Sequence, residues 1–389
     1  MYKIQTLNAI SEVIHQYLGA DNYTIAADEP APDGILVRSA SMHDMELPED
    51  LLAIARAGAG TNNIPIDKCT EKGIVVFNTP GANANAVAEL VICGLMLGSR
   101  NVVGGIEWAR TLDGKGDEVA KLTEKGKAQF VGPEVRGKTL GVVGLGAIGA
   151  LVANGAIGLG MNVIGYDPFI SVDSAWSLSR SVKHCTSMDE IYAQADYITF
   201  HIPLLKDTRG SINAEAIAKM KDGVIILNFA RDSLVDDEAM AEALKSGKVS
   251  RYVTDFPNAK TANMPGCIAI PHLGASTEES EDNCAKMAVQ QMMDYLENGN
   301  IKNSVNFPNC DMGICRTAGR ITILHKNIPN SLSQFTAAIS GEGINIAGLV
   351  NKSRGDYAYT MLDLDHPASD ALMEHMKSLE GVLRVRRIR

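Results

Sequence analysis

The stretch "DFPNAKTANMPGCIAIPHLGAS" (residues 255–276) holds a histidine at a place where a protein can present a catalytic base. His272 follows a short apolar run and precedes a Gly-Ala-Ser turn, as expected at the end of a buried strand. Lys260 lies twelve residues earlier, and no carboxylate stands between Asp255 and His272. The segment therefore predicts a proton-transferring histidine whose charged neighbour in the sequence is a cation.

A second segment, "ILNFARDSLVDDEAM" (226–240), places Arg231 just past another apolar run. A guanidinium there can bind a carboxylate through two hydrogen bonds, although a surface arginine beside Asp232 is the alternative. A 2-hydroxy acid needs both groups: Arg231 to hold its carboxylate and polarise the C2 oxygen, and His272 to take the hydroxyl proton as a hydride leaves. The two residues serve one site only if their strand ends are neighbours. His201 also ends an apolar run and is the rival base.

Short β-branched runs, each followed by a small-residue turn and a helical stretch, recur along most of the chain. Their apolar residues are continuous and do not alternate with polar ones, which indicates parallel strands covered by helices on both faces. We therefore predict an α/β fold with two doubly wound parallel-sheet (Rossmann-like or flavodoxin-like) domains. Ligands of such sheets bind beyond the carboxyl ends of the strands, where Arg231 and His272 are expected.

"KTLGVVGLGAIG" contains a GxGxxG pattern, formed by Gly144, Gly146 and Gly149, between a strand and an apolar helix. A second strand ends in Asp167, eighteen residues after the last glycine, so the context required of a dinucleotide-binding motif is met. Asp167 would bind the adenosine ribose hydroxyls and repel a 2′-phosphate, so we predict NAD as the cofactor. The alternative is a packing turn with a surface aspartate.

Composition excludes several other classes of protein. The net charge of -10 argues against a nucleic-acid partner, and the C-terminal "RVRRIR" alternates as an edge strand does. The seven cysteines show no metal-ligand spacing, so no metal site is predicted and reduced thiols are expected. No signal peptide is recognisable, and the longest apolar stretch contains Glu89, so we expect a cytoplasmic protein without a membrane partner.

The C-terminal part has a different organisation. Residues 302–319 have the composition of a linker, and the segments beyond them alternate as β-α-β-β-α-β. That pattern predicts a small ferredoxin-like module.

Seven stretches of the chain, in order, resemble the D-isomer-specific 2-hydroxyacid dehydrogenases: "LVRSA", "RAGAGTNNI", "NTPGANANAVAEL", "RGKTLGVVGLGAIG", "NFARDSLVDDEAM", "IPHLGAS" and "HKNIPN…GINIAG". Within that family the chain is similar to the branch that oxidises 3-phospho-D-glycerate to 3-phosphonooxypyruvate, the first step of L-serine synthesis, and carries a C-terminal ACT domain. The resemblance implies a discontinuous substrate-binding domain (1–83 and 275–315), an NAD-binding Rossmann domain (84–274) and an ACT regulatory domain (319–389).

The resemblance also assigns roles to single residues. Arg231 and His272 match the catalytic arginine and histidine. Cofactor-lining positions fall on Gly144, Gly146, Ala147, Ile148, Gly149, Asp167, Ala230, Asp255 and Gly274. Substrate-binding positions fall on Arg38, Ser39, Asn83 and Arg231, and Arg38 is the expected phosphate ligand because a guanidinium suits a pair of phosphate oxygens.

One departure lies in the segment that carries His272. Where the family usually has a glutamate hydrogen-bonded to the histidine, five residues after the aspartate, this chain has Lys260. A neighbouring ammonium would lower the histidine pKa, whereas a carboxylate would raise it. Lys260 is therefore either a catalytic proton-transfer partner, a ligand for substrate phosphate or carboxylate, or a solvated lysine, with Glu278 or Glu279 supporting His272.

The turns "HKNIPN" and "GINIAG" resemble the effector-binding turns of ACT domains. His325, Asn327 and Asn345 match positions that bind L-serine in regulated members, between two paired modules, which implies a homodimer or homotetramer. Asn330 replaces a glycine usual in this turn. The alternative is a module that only oligomerises.

Two other functions are consistent with the sequence. One is a glyoxylate, hydroxypyruvate or other D-2-hydroxyacid reductase, which would not need Arg38 as a phosphate ligand. The other is a weakly catalytic scaffold that senses NAD(H) or an amino acid. Arg231 and His272 argue against it, whereas the departure at Lys260 is consistent with it.

Overall fold

The computed structural model describes all 389 residues, and the chain divides into two compact units. The first unit comprises Met1–Asn83 and Glu278–Arg389, and the second comprises Ala84–Thr277. The strands are β1 (Tyr2–Leu7), β2 (Tyr23–Ala26), β3 (Gly34–Val37), β4 (Ala53–Arg56), β5 (Val75–Phe77), β6 (Thr139–Val143), β7 (Asn162–Tyr166), β8 (Lys183–His184), β9 (Tyr197–Phe200), β10 (Val224–Asn228), β11 (Val249–Thr254), β12 (Cys267–Ala269), β13 (Gly319–Lys326), β14 (Ile346–Arg354), β15 (Tyr357–Leu364) and β16 (Val382–Arg387).

The α-helices are α1 (Ile66–Glu71), α2 (Ala84–Ser99), α3 (Val102–Arg110), α4 (Val119–Gly126), α5 (Ala147–Gly158), α6 (Val172–Ser177), α7 (Met188–Gln194), α8 (Ala214–Ala218), α9 (Asp237–Ser246), α10 (Glu278–Asn298), α11 (Ser331–Gly341) and α12 (Asp370–Lys377). Short 3-10 helices span Glu12–Gln16, Gly116–Glu118, Lys127–Phe130, Asp232–Leu234 and Thr261–Asn263.

The second unit is built on a seven-stranded parallel sheet with the order β12-β11-β10-β9-β6-β7-β8. Every residue of β10 is buried, because the sheet is covered on both faces. Ile226 packs into one apolar cluster, whereas its neighbours Ile225 and Leu227 pack into another. The prediction of a doubly wound parallel sheet from continuous apolar runs is confirmed for this unit.

The first unit contains a five-stranded parallel sheet with the order β2-β1-β3-β4-β5. Helix α10, which follows the second unit in the chain, packs on β3, β4 and β5. Its buried residues Ala285, Ala288 and Met292 belong to the same apolar cluster as Leu36 and Phe77. One face of this sheet is therefore covered by a helix that lies far away in the sequence, after the second unit.

Residues from 319 onward form a four-stranded antiparallel sheet with the order β14-β15-β13-β16 and two helices, α11 and α12. The element order is the β-α-β-β-α-β predicted from the sequence, and β16 lies at the sheet edge, as the alternation in "RVRRIR" indicates. This segment shares a core with the parallel sheet of the same unit, because Leu324 and Tyr359 pack in one cluster with Phe77. We call residues 319–389 the C-terminal module.

Arginines join the C-terminal module to the rest of the first unit. Arg320 is fully buried, where it pairs with Asp363 and donates hydrogen bonds to the carbonyls of Asn298 and Gly313. Arg386 donates to the carbonyl of Leu296 at 2.8 Å. These guanidinium groups satisfy carbonyl oxygens at and beyond the end of α10, which have no partner within the helix.

No single helix is both long enough and apolar enough to cross a bilayer. The pair α2 and α3 passes that test only when taken together, by length and composition, and it is bent by 70° at its break.

Candidate active site

The glycine loop (Gly144–Gly149) connects β6 to α5, and its shape depends on backbone contacts that only glycine permits. Gly144 has a φ of 88°, in the left-handed region. A Cβ on Gly149 would lie 1.9 Å from the carbonyl oxygen of Gly144. A Cβ on Gly146 would meet no atom within 4 Å, so the space above this residue is open. The loop therefore leaves room for a pyrophosphate at the second glycine, as the motif requires.

Helix α5 begins immediately after Gly146, with Ala147 and Ile148 in its first turn and no side chain capping its N–H groups. Asp167 follows β7 and accepts hydrogen bonds from the backbone N–H of Leu145 and of Phe169, both at 2.8 Å. Open N–H groups at a helix N-terminus and a carboxylate beside the glycine loop fit the phosphates and ribose of NAD.

Arg231, Asp255 and His272 follow three adjacent strands of the sheet, β10, β11 and β12. The buried Asn228 holds the turn after β10, because its side-chain amide donates to the carbonyl of Arg231 at 2.8 Å. β11 lies between β10 and β12, so the strands that precede Arg231 and His272 are not the direct neighbours that the sequence analysis required. The carboxyl ends of parallel strands meet at one edge of a sheet, so both residues still lie at the same edge.

The side chains of Arg231 and His272 contact the same aromatic ring. The ring of His272 lies 4.5 Å from that of Phe256, centroid to centroid, and the guanidinium carbon of Arg231 lies 5.7 Å from the Phe256 centroid. Arg231 is exposed and donates one hydrogen bond, at 2.6 Å, to the carbonyl of Ala230. Its remaining N–H groups are open to a ligand. The structure thus brings together the two residues that the sequence assigned to proton transfer and carboxylate binding.

The backbone at His272 is strained and is held by a buried carboxylate. His272 has a φ of 51°, a left-handed conformation that costs about 1–2 kcal/mol for a residue other than glycine. Asp255 accepts hydrogen bonds from the next two N–H groups, those of Leu273 at 2.7 Å and Gly274 at 2.8 Å. A Cβ at Gly274 would lie 2.9 Å from Asp255 Oδ2. Burial raises the pKa of Asp255, whereas these hydrogen bonds lower it.

Lys260 does not contact His272 in this structure. Its ammonium donates to Glu238 Oε1 on α9 at 2.6 Å, and both side chains are largely exposed. The hydrogen bond to Glu238 raises the pKa of Lys260. Glu278 and Glu279 belong to the first unit, and their side chains form no hydrogen bond. Of the three roles considered for Lys260, these contacts favour the solvated lysine. Its ammonium is exposed and paired with Glu238, and it contacts neither His272 nor the residues proposed to bind substrate.

His201, the rival base, lies beneath the glycine loop. Its Nε2 pairs with Thr199 Oγ1 at 3.0 Å, and its buried Nδ1 has no partner. Burial lowers the pKa of His201 to about 4. A Cβ on Gly144 would lie 2.6 Å from the His201 carbonyl oxygen, so the backbone of His201 packs directly against the glycine loop. His272 is exposed, whereas His201 is half-buried and has a lowered pKa, which favours His272 as the base.

The first unit carries three of the predicted substrate residues: Arg38 and Ser39 at the carboxyl end of β3, and Asn83 six residues after β5. The side chain of Asn8 accepts hydrogen bonds from the N–H groups of Ser39, at 3.3 Å, and Ala40, at 2.6 Å. Arg38 is half-exposed, and the side chain of Asn83 forms no hydrogen bond.

Arg56 is a neighbour of Arg38 that sequence reasoning missed. It donates from Nε to the carbonyl of Arg38 at 2.9 Å. The available signal was its place at the end of β4, directly after an apolar run, where "RAGAG" begins.

The predicted effector residues are not assembled within one C-terminal module. His325 is buried, with Nδ1 at 2.8 Å from the Lys326 carbonyl and Nε2 at 2.9 Å from Thr360 Oγ1. Asn345 is exposed and precedes β14. On β15, the pairing partners of His325 and of Ile346 are six residues apart, which is roughly 20 Å along a strand.

The side-chain amide of Asn327 donates to the Gly355 carbonyl at 3.2 Å. Asn330 has a φ of 70°, a left-handed conformation that favours glycine and that asparagine tolerates.

Comparisons with known proteins agree with this geometry. Residues 105–274 match the family described as D-isomer specific 2-hydroxyacid dehydrogenase, NAD binding domain. The chain is 38% identical to a D-3-phosphoglycerate dehydrogenase of Methanocaldococcus jannaschii over 271 residues, 68% of this chain and 49% of that protein. It is 32% identical to a putative D-3-phosphoglycerate dehydrogenase of Schizosaccharomyces pombe, covering 86% of this chain and 74% of that one.

Among solved structures, a NAD+-bound 3-phosphoglycerate dehydrogenase of Entamoeba histolytica is similar, with a TM-score of 0.61 and 29% identity over 78% of this chain and 98% of that one. The glycine loop, Asp167 and the parallel sheet define a dinucleotide-binding α/β protein. The chain belongs to the D-isomer-specific 2-hydroxyacid dehydrogenase family. It spans about half the length of the first two curated relatives that it matches.

Proposed function

We propose that this protein is an NAD-dependent dehydrogenase that oxidises 3-phospho-D-glycerate at C2 to 3-phosphonooxypyruvate, the first step of L-serine synthesis. The contact of Arg231 and His272 with the same Phe256 ring, at the strand ends of an NAD-binding domain, carries the proposal. The names of the relatives support the choice of substrate.

In the proposed reaction bound NAD would supply the acceptor for the hydride of C2. Arg231 binds the substrate carboxylate with the N–H groups that Ala230 leaves open, and it polarises the C2 oxygen. His272 takes the hydroxyl proton, and the bonds of Asp255 to the residues after His272 keep its ring against Phe256. Lys260 is outside this proton path because its ammonium is paired with Glu238.

For cofactor binding we propose that the open N–H groups of α5 receive the pyrophosphate and that Asp167 binds the adenosine ribose. Ala230, Asp255 and Gly274 would line the nicotinamide end. Asp167 also disfavours NADP, because its carboxylate would repel a 2′-phosphate.

For the substrate phosphate we propose Arg38 as the principal ligand, with Ser39 and Asn83 as hydrogen-bonding partners. Arg56 supports Arg38 through the bond to its carbonyl and adds a second positive charge to that end of the sheet. A guanidinium binds two phosphate oxygens at once, which a reductase for unphosphorylated acids does not need.

We further propose that the C-terminal module is an ACT domain that binds L-serine between two copies of the chain, in a homodimer or homotetramer. The separation of Asn345 from His325 within one module is compatible with a site completed by a second copy. His325 would have to exchange one of its two internal partners to bind an effector, so Asn327 and Asn345 are the more accessible ligands.

The test is NADH oxidation with 3-phosphonooxypyruvate, hydroxypyruvate, glyoxylate and pyruvate, each with and without L-serine. A preference of at least tenfold in kcat/KM for the phosphorylated acid is expected, and Arg38→Met should remove it. Equal use of hydroxypyruvate or glyoxylate would make the protein a reductase of unphosphorylated acids. Tight NADH binding without turnover of any acid would favour a protein that senses NAD(H). Inhibition of turnover by L-serine would support the proposed effector site in the C-terminal module.

A further inference from the structure

Arg38, the proposed phosphate ligand, already has an anionic partner within the first unit. Its Nη2 donates to Glu281 Oε1 at 2.5 Å, and both side chains are 41% exposed. The contact uses one of the five N–H donors of the guanidinium, and the other four have no acceptor in the structure. The pair is therefore monodentate, and it leaves Arg38 able to bind a second anion.

The position of Glu281 is not explained by the helix end alone. Glu278, Glu279 and Glu281 all lie in the first turn of α10, where negative charge is favourable. The side chains of Glu278 and Glu279 form no hydrogen bond, and the adjacent Asp282 is bonded to Ser11. Glu281 alone among these four carboxylates contacts Arg38.

A phosphate bound to Arg38 would lie close to the Glu281 carboxylate, because both anions would share one guanidinium. The phosphate carries close to two negative charges at neutral pH, so the like-charge repulsion falls mainly on a phosphorylated substrate. A substrate with a hydroxyl in the same place would carry no charge there and would not be repelled. The charge of Glu281 therefore affects how strongly the site discriminates between a phosphorylated substrate and one with a hydroxyl in the same place.

We propose that Glu281 is a specificity-determining residue that weakens phosphate binding at Arg38. The phosphorylated substrate and product then dissociate more readily from the site. This inference rests on the proposed role of Arg38. Removing the charge of Glu281 should lower KM for 3-phosphonooxypyruvate by about tenfold, from the repulsion of two anions a few ångströms apart in a half-exposed site. KM for hydroxypyruvate should change less than twofold.

The experiment compares wild type, Glu281→Gln and Glu281→Ala, with Asp282→Asn as the matched control. Asp282→Asn removes the same charge from the same turn without touching Arg38, so its KM for 3-phosphonooxypyruvate should stay within twofold of wild type. The effect of Glu281→Gln should shrink at 0.5 M salt, because screening weakens the repulsion. An unchanged KM in both Glu281 variants would overturn the proposal, and so would a raised KM, which would mean that the carboxylate positions Arg38 for the substrate.

A second measurement separates this inference from the proposed function. Inorganic phosphate is titrated into each variant while Tm is recorded, with Arg38→Met as the variant that lacks the ligand. Phosphate should stabilise Glu281→Gln more than wild type, and Arg38→Met should shift less than either, because it keeps only the phosphate bound elsewhere, as at α5. If no acid is turned over but these shifts appear, the proposed reaction is wrong, while the weakening of phosphate binding by Glu281 stands. Equal shifts in wild type and Glu281→Gln would sink the role of Glu281 alone.

Discussion

The glycine loop and the loop from Asp255 to Ser276 follow strands of the same parallel sheet, yet different interactions determine their conformations. In the glycine loop the backbone is so close, at Gly149 and Gly144, that only hydrogen fits. In the second loop, a buried carboxylate reaches across the sequence to the N–H groups of Leu273 and Gly274. The close backbone contact in the glycine loop follows from the spacing of glycines a few residues apart. The hydrogen bonds of Asp255 instead join residues that are 18 and 19 positions apart in the chain. The two loops should therefore respond differently to substitution.

The largest effect is expected at His272, in the second loop. Because His272 is the proposed proton carrier, His272→Asn should lower kcat by about 10²–10⁴-fold. NADH binding, followed by fluorescence titration, should stay within threefold of wild type because the glycine loop is shaped independently. A kcat within tenfold of wild type would remove His272 from the proton path.

In the glycine loop, two matched substitutions separate folding from binding. Gly149→Ala places a Cβ 1.9 Å from the Gly144 carbonyl, and we expect a loss of about 2–3 kcal/mol in the free energy of unfolding. Gly146→Ala meets no atom, so stability should be kept while the Kd for NADH rises about tenfold as the Cβ occupies the pyrophosphate space. Denaturant melts and NADH titrations check both. Wild-type stability in Gly149→Ala would contradict the steric account.

His201, beneath the glycine loop, should make stability depend on pH. Its pKa is about 4 when folded against 6.5 in the unfolded chain, so the unfolded state takes up a proton first as pH falls. Stability is therefore lost as pH falls from 6.5 toward 4. Between pH 7 and pH 5 the loss should be about 2 kcal/mol.

His201→Gln should flatten this part of the profile, as measured by urea unfolding at each pH. The exposed His184 offers the control, because His184→Gln should leave the wild-type slope. A slope that persists in His201→Gln would assign the pH dependence to other groups.

The smallest effect is expected at Lys260. Because its ammonium is bound to Glu238, Lys260→Met should change kcat less than about threefold and leave the acid limb of the pH–rate profile in place. Glu238→Gln is the matched partner and should behave alike. An acid limb that moves to higher pH in Lys260→Met alone, with a lower rate, would place Lys260 beside His272 during turnover.

The sequence predicted what depends on local pattern. Three glycines, a strand and Asp167 identified the cofactor loop, because each must stand at a fixed offset from the others. Continuous apolar runs predicted the parallel sheets, and alternation predicted β16 as an edge strand. These features follow from backbone geometry, which a short stretch of sequence specifies.

Long-range pairing could not be predicted in the same way. Lys260 pairs with Glu238 on the preceding helix, and Arg38 pairs with Glu281, 243 residues away. A one-dimensional sequence does not reveal which of several nearby carboxylates a long, flexible side chain will choose. The support of His272 by Asp255 was hidden for the same reason, since it runs through backbone N–H groups and not through the histidine ring.

The division of the first unit into two chain segments has a consequence during synthesis on the ribosome. The strands β1 to β5 are made before the second unit, but α10, which packs on β3, β4 and β5, is made only after it. Until then Leu36 and Phe77 lack the α10 side chains that share their apolar cluster. The second unit, which is continuous, can fold while the N-terminal strands wait. The strands that precede the second unit are thus among the last elements to reach all of their native partners.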